Sequence, residues 1–346
     1  MKIGIATVQV PFITGGAETL ATSLRAELVK RGFEADIISI PFKWYPPERI
    51  LDCMLMGRLM DLSEVNGTKI DRVIALKFPA YFAPHDNKVG WILHQHRQAY
   101  DLYGTEYGDL HQSTQGQRVA EAIRTWDNKF LSELQNTFTI SNRVTARLAE
   151  YNNLSAQTLY PPPGDYAEFH CDGFGDFILY PGRFAPIKRQ HLIVEAMKTV
   201  PDEVKLVLIG SHDNEYGESV RKRIATLGLE GRVELTGTVT AEEKIRLYSR
   251  CLAVYNGVYD EDYGYVTLEA FLSGKPVITH PDSGGPLEFV RHQDNGFVVE
   301  AEPELIGDCV DRLTNRTLAR EMGNRGKETI EQQDITWDHV IDKLLS

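Results

Sequence analysis

Residues 2–32 read KIGIATVQVPFITGGAETLATSLRAELVKRG. Lys2 to Val10 is a short apolar run suited to a buried strand, and Gly15-Gly16 follows as a turn. Ala17, Leu20, Ala21, Leu24 and Leu28 then recur at helical spacing until Arg31-Gly32 stops the pattern. Strand, glycine turn and helix in that order open an α/β unit. Apolar runs at Ala35 to Ile40, Arg72 to Leu76, Val89 to His94 and Thr137 to Ile140, with helical sequence between several of them, extend the alternation and predict a parallel sheet.

The pattern halts at Pro161-Pro162-Pro163-Gly164, a short stiff linker, and resumes at Phe177 to Tyr180. Strands are then expected at Lys205 to Ile209, Arg232 to Leu235, Leu252 to Tyr255, Pro276 to Thr279 and Gly296 to Val299. A chain of 346 residues exceeds what one hydrophobic core usually supports. The reading is therefore two Rossmann-like α/β domains, residues 1–163 and 164–333. An amphipathic C-terminal helix within 334–346 is expected to pack back on the first domain. Ligands of such domains bind in the crevice at the carboxyl ends of the strands.

The net charge of −12 is uneven: 17 basic and 18 acidic residues run through Asp165, against 20 and 31 beyond it. The halves are thus near −1 and −11, which argues against nucleic-acid binding and leaves the neutral first half for any membrane contact. The four cysteines are scattered and form no CxxC pair, so no zinc site or disulfide framework is expected. The N-terminal run is too brief for a signal peptide and no apolar run approaches a membrane span, so a cytoplasmic protein is expected, peripheral at most to the membrane.

Residues 259–270 read YDEDYGYVTLEA, which sets Glu261 and Glu269 eight positions apart around an aromatic-glycine-aromatic turn. Gly264 permits the sharp turn, and the amides of Tyr265, Val266 and Thr267 open the helix that follows. A helix start attracts an anion, and carboxylates accept hydrogen bonds from sugar hydroxyls. Taken alone, two glutamates at this spacing would more often be a solvated loop and a surface pair. Arg183 and Lys188 form a second element just after the Phe177 to Tyr180 strand, and two cations there can converge on a pyrophosphate. An isolated Arg-x4-Lys pair would be a surface coincidence.

Together these stretches resemble the E-x7-E signature and the Arg/Lys pair of retaining glycosyltransferases of family 4, which have two Rossmann-like domains with a deep interdomain cleft, the GT-B architecture. The resemblance implies that Glu261 contacts the transferred sugar and Glu269 the ribose, while Arg183 and Lys188 neutralise the departing diphosphate without a metal or other cofactor. Family members usually carry Glu-Gly-Phe-Gly where this chain has Glu261-Asp262-Tyr263-Gly264. Gly15-Gly16, whose backbone can approach the donor's diphosphate or sugar without a Cβ in the way, resembles the family's N-terminal glycine loop, for which a plain tight turn is the alternative. It is not a dinucleotide fingerprint, since the third glycine is missing.

His94, in His94-Gln95-His96-Arg97 at a strand end, matches the family histidine that faces the sugar better than His96 does. His96 and Arg97 would orient it or touch the acceptor. Gly210, after one strand, and Thr238-Val239, after the next, complete the nucleotide pocket. Ser283-Gly284-Gly285-Pro286 matches the family's glycine-rich turn, for which a structural role suffices.

The implied function is transfer of a hexose, with UDP-glucose as the expected donor, to a glycan or lipid-linked acceptor in polysaccharide synthesis, with peripheral contact at the inner membrane and no nucleic-acid partner. A GT-B epimerase or phosphorylase, and a non-catalytic UDP-sugar-binding partner, are the alternatives. A dehydrogenase stands behind both.

Overall fold

A computed structural model describes the chain except Thr14 and Asp165. It forms two compact units, Met1–Gly164 with Ile335–Ser346, and Asp165–Asp334.

In unit 1, β1 (Lys2–Gln9), β2 (Glu34–Pro41), β5 (Arg72–Ala75), β6 (Lys88–Ile92), β7 (Asn136–Thr139) and β8 (Gln157–Thr158) build one sheet. Its order is β2-β1-β5-β6-β7-β8 and every pairing is parallel. Counting only these strands, the order is 2-1-3-4-5-6, so the chain reverses direction across the sheet between β1 and β5. β3 (Glu64–Val65) and β4 (Thr68–Lys69) form a separate hairpin whose turn residues, Asn66 and Gly67, both have positive φ, as a tight two-residue turn requires. The helices are α1 (Gly16–Lys30), α2 (Glu48–Leu59), α3 (Thr114–Phe130) and α4 (Asn142–Asn152).

In unit 2, β9 (Phe177–Pro181), β10 (Lys205–Ile209), β11 (Val233–Gly237), β12 (Ala253–Tyr255), β13 (Val277–Thr279) and β14 (Gly296–Val298) are likewise all parallel. Their order, β11-β10-β9-β12-β13-β14, is the 3-2-1-4-5-6 sequence of the dinucleotide-binding folds. The reversal therefore falls between β9 and β12. Helices α5 (Gln190–Ala196), α6 (Glu215–Thr226), α7 (Ala241–Arg250), α8 (Tyr265–Leu272), α9 (Pro303–Leu313) and α10 (Arg316–Glu331) accompany them. Ile178, Leu206, Leu208, Ile278 and Phe297 are buried, and the strands read as unbroken apolar runs because a parallel sheet is covered on both faces.

The last helix, α11 (Trp337–Leu345), belongs to unit 1. Trp337 meets Trp91 of β6 edge to face at 6.3 Å. The Arg72 guanidinium donates to the carbonyls of Leu345 and Ser346, each at 2.8 Å. Among the described residues no helix is long and apolar enough to cross a membrane.

Candidate active site

The crevice of unit 2 is built from the segments that follow β9 and β12. After β9, Gly182 (φ 149°) turns the chain and leaves Arg183 exposed, with no ion pair to any described residue. A short 3₁₀ turn, Pro186–Lys188, then presents Lys188. Gly210, after β10, has φ 132°, and a Cβ there would lie 2.3 Å from the Gly182 carbonyl oxygen, so only glycine permits this approach. Backbone bonds tie the three strand ends together: Gly182 donates to Ile209, Phe184 to Ser211 and Gly210 to Gly237.

After β12 the chain runs through Asn256 to Gly264 and enters α8. The Glu261 carboxylate pairs with Lys188, and each side chain is a quarter exposed. The glycine-rich turn Ser283-Gly284-Gly285 fixes this loop from beneath: Glu261 donates its amide to Ser283 and accepts from Gly285. A Cβ on Gly284 would stand 2.6 Å from the Glu261 carbonyl oxygen. Arg189 braces the same loop. It donates to the carbonyls of Gly257 and Val258 and forks onto Asp282 at 2.7 and 2.8 Å, which explains a non-glycine residue held at φ 53°.

Gly264, at φ 93°, caps α8 without any side chain. The first-turn N–H groups of Tyr265 and Val266 therefore remain for an anion. Thr267 is buried and its amide returns to the Gly264 carbonyl. The Tyr263 ring is buried against Phe289, so it supports the loop by packing. The Tyr265 hydroxyl is buried with no hydrogen-bond partner among the described residues, and desolvation, with Glu269 nearby, holds it protonated.

Glu269, the fifth residue of α8, is 12% exposed and accepts from Lys244 and from the Tyr248 hydroxyl, both at 2.7 Å. Neither partner stands out in the sequence; the signal they leave is the i, i+4 spacing that puts both on one face of α7. Thr238 and Val239, just beyond β11, lead directly into α7, capped by the Thr240 side chain.

In unit 1, Gly15 is the N-cap and Gly16 the first residue of α1, both exposed. The Gly15 amide is taken by the Glu18 carboxylate at 2.8 Å. His94 follows β6, half-buried, with Nδ1 donating to the Gln95 carbonyl. The His96 ring lies 5.3 Å from Phe78 and 6.0 Å from Phe42, and desolvation pushes its pKa down to about 3. Arg97 is paired with Asp101 at 2.6 Å. Each unit thus gathers its sequence-derived residues at the carboxyl ends of its own strands.

Lys188, Arg183 and an uncapped helix tip lie around the reversal point, with two carboxylates beside them. Such a set suits a diphosphate with hydroxyl-bearing groups at either end. The family described as Glycosyl transferases group 1 matches residues 173–329. That match lies within unit 2.

The chain is 30% identical over 150 residues to the alpha-1,3/1,6-mannosyltransferase ALG2 of Mus musculus, a match covering 41% of this chain and 36% of that protein. The curated relatives it matches are covered over less than half of their length, 36%, 43% and 44% for three of them.

Solved structures show a likeness of fold over the whole chain. Sucrose-phosphate synthase from Thermosynechococcus elongatus superposes with TM-score 0.80 at 18% identity over 99% of this chain and 98% of that one. Anabaena HepE, crystallised with UDP and glucose, gives 0.73 at 17% identity with full coverage of both chains. The fold of the chain is GT-B.

Proposed function

We propose that the chain transfers a hexose from a nucleotide-diphosphate sugar, with UDP-glucose as the first donor to test, to a hydroxyl of a glycan or lipid-linked acceptor in polysaccharide synthesis, with retention at the anomeric carbon. The observation that carries this reading is the Lys188–Glu261 pair beside the exposed Arg183 and the uncapped α8 tip. The Anabaena protein, crystallised with UDP and glucose, is in keeping with a UDP-sugar donor.

The diphosphate sits on the Tyr265 and Val266 amides, with Arg183 and Lys188 neutralising the charge that grows as it leaves; two protein cations serve in place of a metal ion. Displacing Glu261 from Lys188 frees its carboxylate for the sugar hydroxyls. Glu269, oriented by Lys244 and Tyr248, accepts from the ribose hydroxyls with its remaining lone pairs. A leaving phosphate oxygen takes the acceptor's proton as the acceptor attacks from the same face, so no separate carboxylate base is needed. For unit 1, the resemblance supports roles for His94, Gly15 and Gly16 toward the sugar and the acceptor. The reaction is assigned to the cytoplasm, with any peripheral membrane contact through unit 1.

The test is release of nucleoside diphosphate from UDP-, GDP- and ADP-sugars by the full chain in the presence of glycan and lipid-linked acceptors. One donor is expected to turn over, and Lys188→Ala and Glu261→Ala to lose turnover by about a hundredfold or more while still folding. Wild-type rates in either variant would remove the site. UDP binding without turnover of any donor would point instead to a non-catalytic partner.

A further inference from the structure

His212 follows β10 in Gly210-Ser211-His212 and is fixed from two sides. Its ring meets Phe184 edge to face, 5.5 Å between centroids. Its Nδ1 receives the Nη2 of Arg221 on α6. A guanidinium only donates, so Nδ1 supplies its lone pair and the hydrogen of the neutral ring sits on Nε2. The Asp213 carboxylate is 3.6 Å from Nδ1, beyond hydrogen-bond range, and lies 3.4 Å from Arg221.

The donor this leaves, Nε2–H, has no acceptor among the described residues, and the His212 side chain is 16% exposed. Nothing else crowds the backbone beside it: a Cβ on Gly237, at the end of β11, would find only Nε2, at 3.9 Å.

The order of groups along the carboxyl edge gives this hydrogen a target. The anion-binding groups lie where β9 and β12 diverge. Glu269 comes next and is joined to α7 through Lys244. The start of α7 leads back through Val239 and Thr238 to Gly237, where His212 stands. A nucleoside whose phosphates rest on α8 and whose ribose meets Glu269 therefore carries its base toward Gly237 and His212.

Resting on the donor reading above, we infer that His212 reads the nucleobase through Nε2–H. It selects a base with a ring carbonyl at that edge, uracil or guanine, over cytosine or adenine. The latter two present an amino group there, which sets donor against donor. Arg221 is a positioning residue: by occupying Nδ1 it prevents the ring from turning a lone pair toward the base.

Calorimetric titration of the full chain with UDP, CDP, GDP and ADP tests this, because UDP and CDP differ only at C4, oxo or amino, and in the N3 hydrogen that goes with it. UDP is expected to bind at least about tenfold tighter than CDP. His212→Ala should bring the two within about twofold by weakening UDP alone, whereas His212→Gln, which keeps an N–H donor, should retain much of the preference. Arg221→Met should tighten CDP by freeing the ring to change tautomer. Equal affinities in the wild-type chain, or parallel weakening of both ligands in His212→Ala, would overturn the selector while leaving the donor reading in place. Failure of all four diphosphates to bind would overturn the donor reading and the selector with it.

Discussion

α1 and α8 both start from a glycine after a central strand of a parallel sheet, yet their tips are chemically opposite. α1 begins at an extended Gly15 and carries Glu18 at its third position, so its own carboxylate folds back onto the Gly15 amide. α8 begins at a left-handed Gly264, and its first carboxylate, Glu269, lies too far along to reach back and is held by Lys244 and Tyr248. A glycine before a helix is therefore not enough to make an anion site; the position of the nearest carboxylate decides whether the tip is open.

The contrast extends to the rest of each unit. Unit 2 keeps Arg183 exposed at its crevice, whereas unit 1 pairs Arg97 with Asp101 and buries Asp127 between the hydroxyls of Tyr81 and Tyr100, each at 2.8 Å.

The substitution that breaks the comparison most sharply is Gly264→Asp, which gives α8 a carboxylate at its tip. A Cβ there would stand 3.0 Å from Pro286 Cγ at φ 93°, and the new charge would oppose a diphosphate. UDP affinity measured by calorimetry should fall by about a hundredfold or more, a loss of at least ~2.7 kcal/mol. Unchanged affinity would mean that the α8 tip takes no phosphate.

Asp127 makes the next largest difference. Burial raises its pKa to about 7, against the opposing effect of hydrogen bonds from Tyr100 and Tyr81. In the unfolded chain it titrates near the usual 3.9 or so. Between about pH 4 and 7 the folded state therefore holds the extra proton, and stability falls as pH rises through that window. Relative to Asp127→Asn, the wild-type chain should lose about 2.5 kcal/mol of unfolding free energy between pH 5 and pH 8, read from denaturant midpoints. Parallel pH profiles would contradict this.

The smallest effect sharpens the comparison from the other side. Glu18→Ala removes the cap of α1 and should cost about 0.5–1 kcal/mol, a fall in Tm of about 2–4 °C, with UDP affinity unchanged. It should also open the α1 tip, so that millimolar phosphate restores part of the lost Tm in the variant and has less effect on the wild type. A phosphate response identical in the two chains would show that Glu18 does not close the tip.

The α/β alternation and the two Rossmann-like sheets were legible in the sequence because buried parallel strands are unbroken apolar runs and glycines mark their exits; the GT-B fold was implied only by the family resemblance of the Glu261–Glu269 stretch and the Arg183/Lys188 pair. β3, β4 and β8 escaped notice. Each is only two residues long, Glu64-Val65, Thr68-Lys69 and Gln157-Thr158, with too few positions to show a period. β11 begins at Val233, one residue after the expected start, and runs to Gly237.

At the site, Arg183, Lys188, Glu261 and Glu269 stood out because their spacing and their places near strand ends and a helix start resemble the family's signature. Their supports did not. Arg189 reaches Asp282 across 93 residues and Lys244 reaches Glu269 across 25, distances that no local pattern encodes. The reversal of strand order between β1 and β5 in unit 1 is similarly a property of pairing between distant segments.

The most direct test of the central claim is a crystal structure of the chain with UDP. The account predicts both phosphates at the α8 tip, within hydrogen-bond range of the Tyr265 and Val266 amides and touching Arg183 and Lys188, with the ribose on Glu269. Phosphates bound elsewhere, or Arg183 and Lys188 turned away from them, would contradict it.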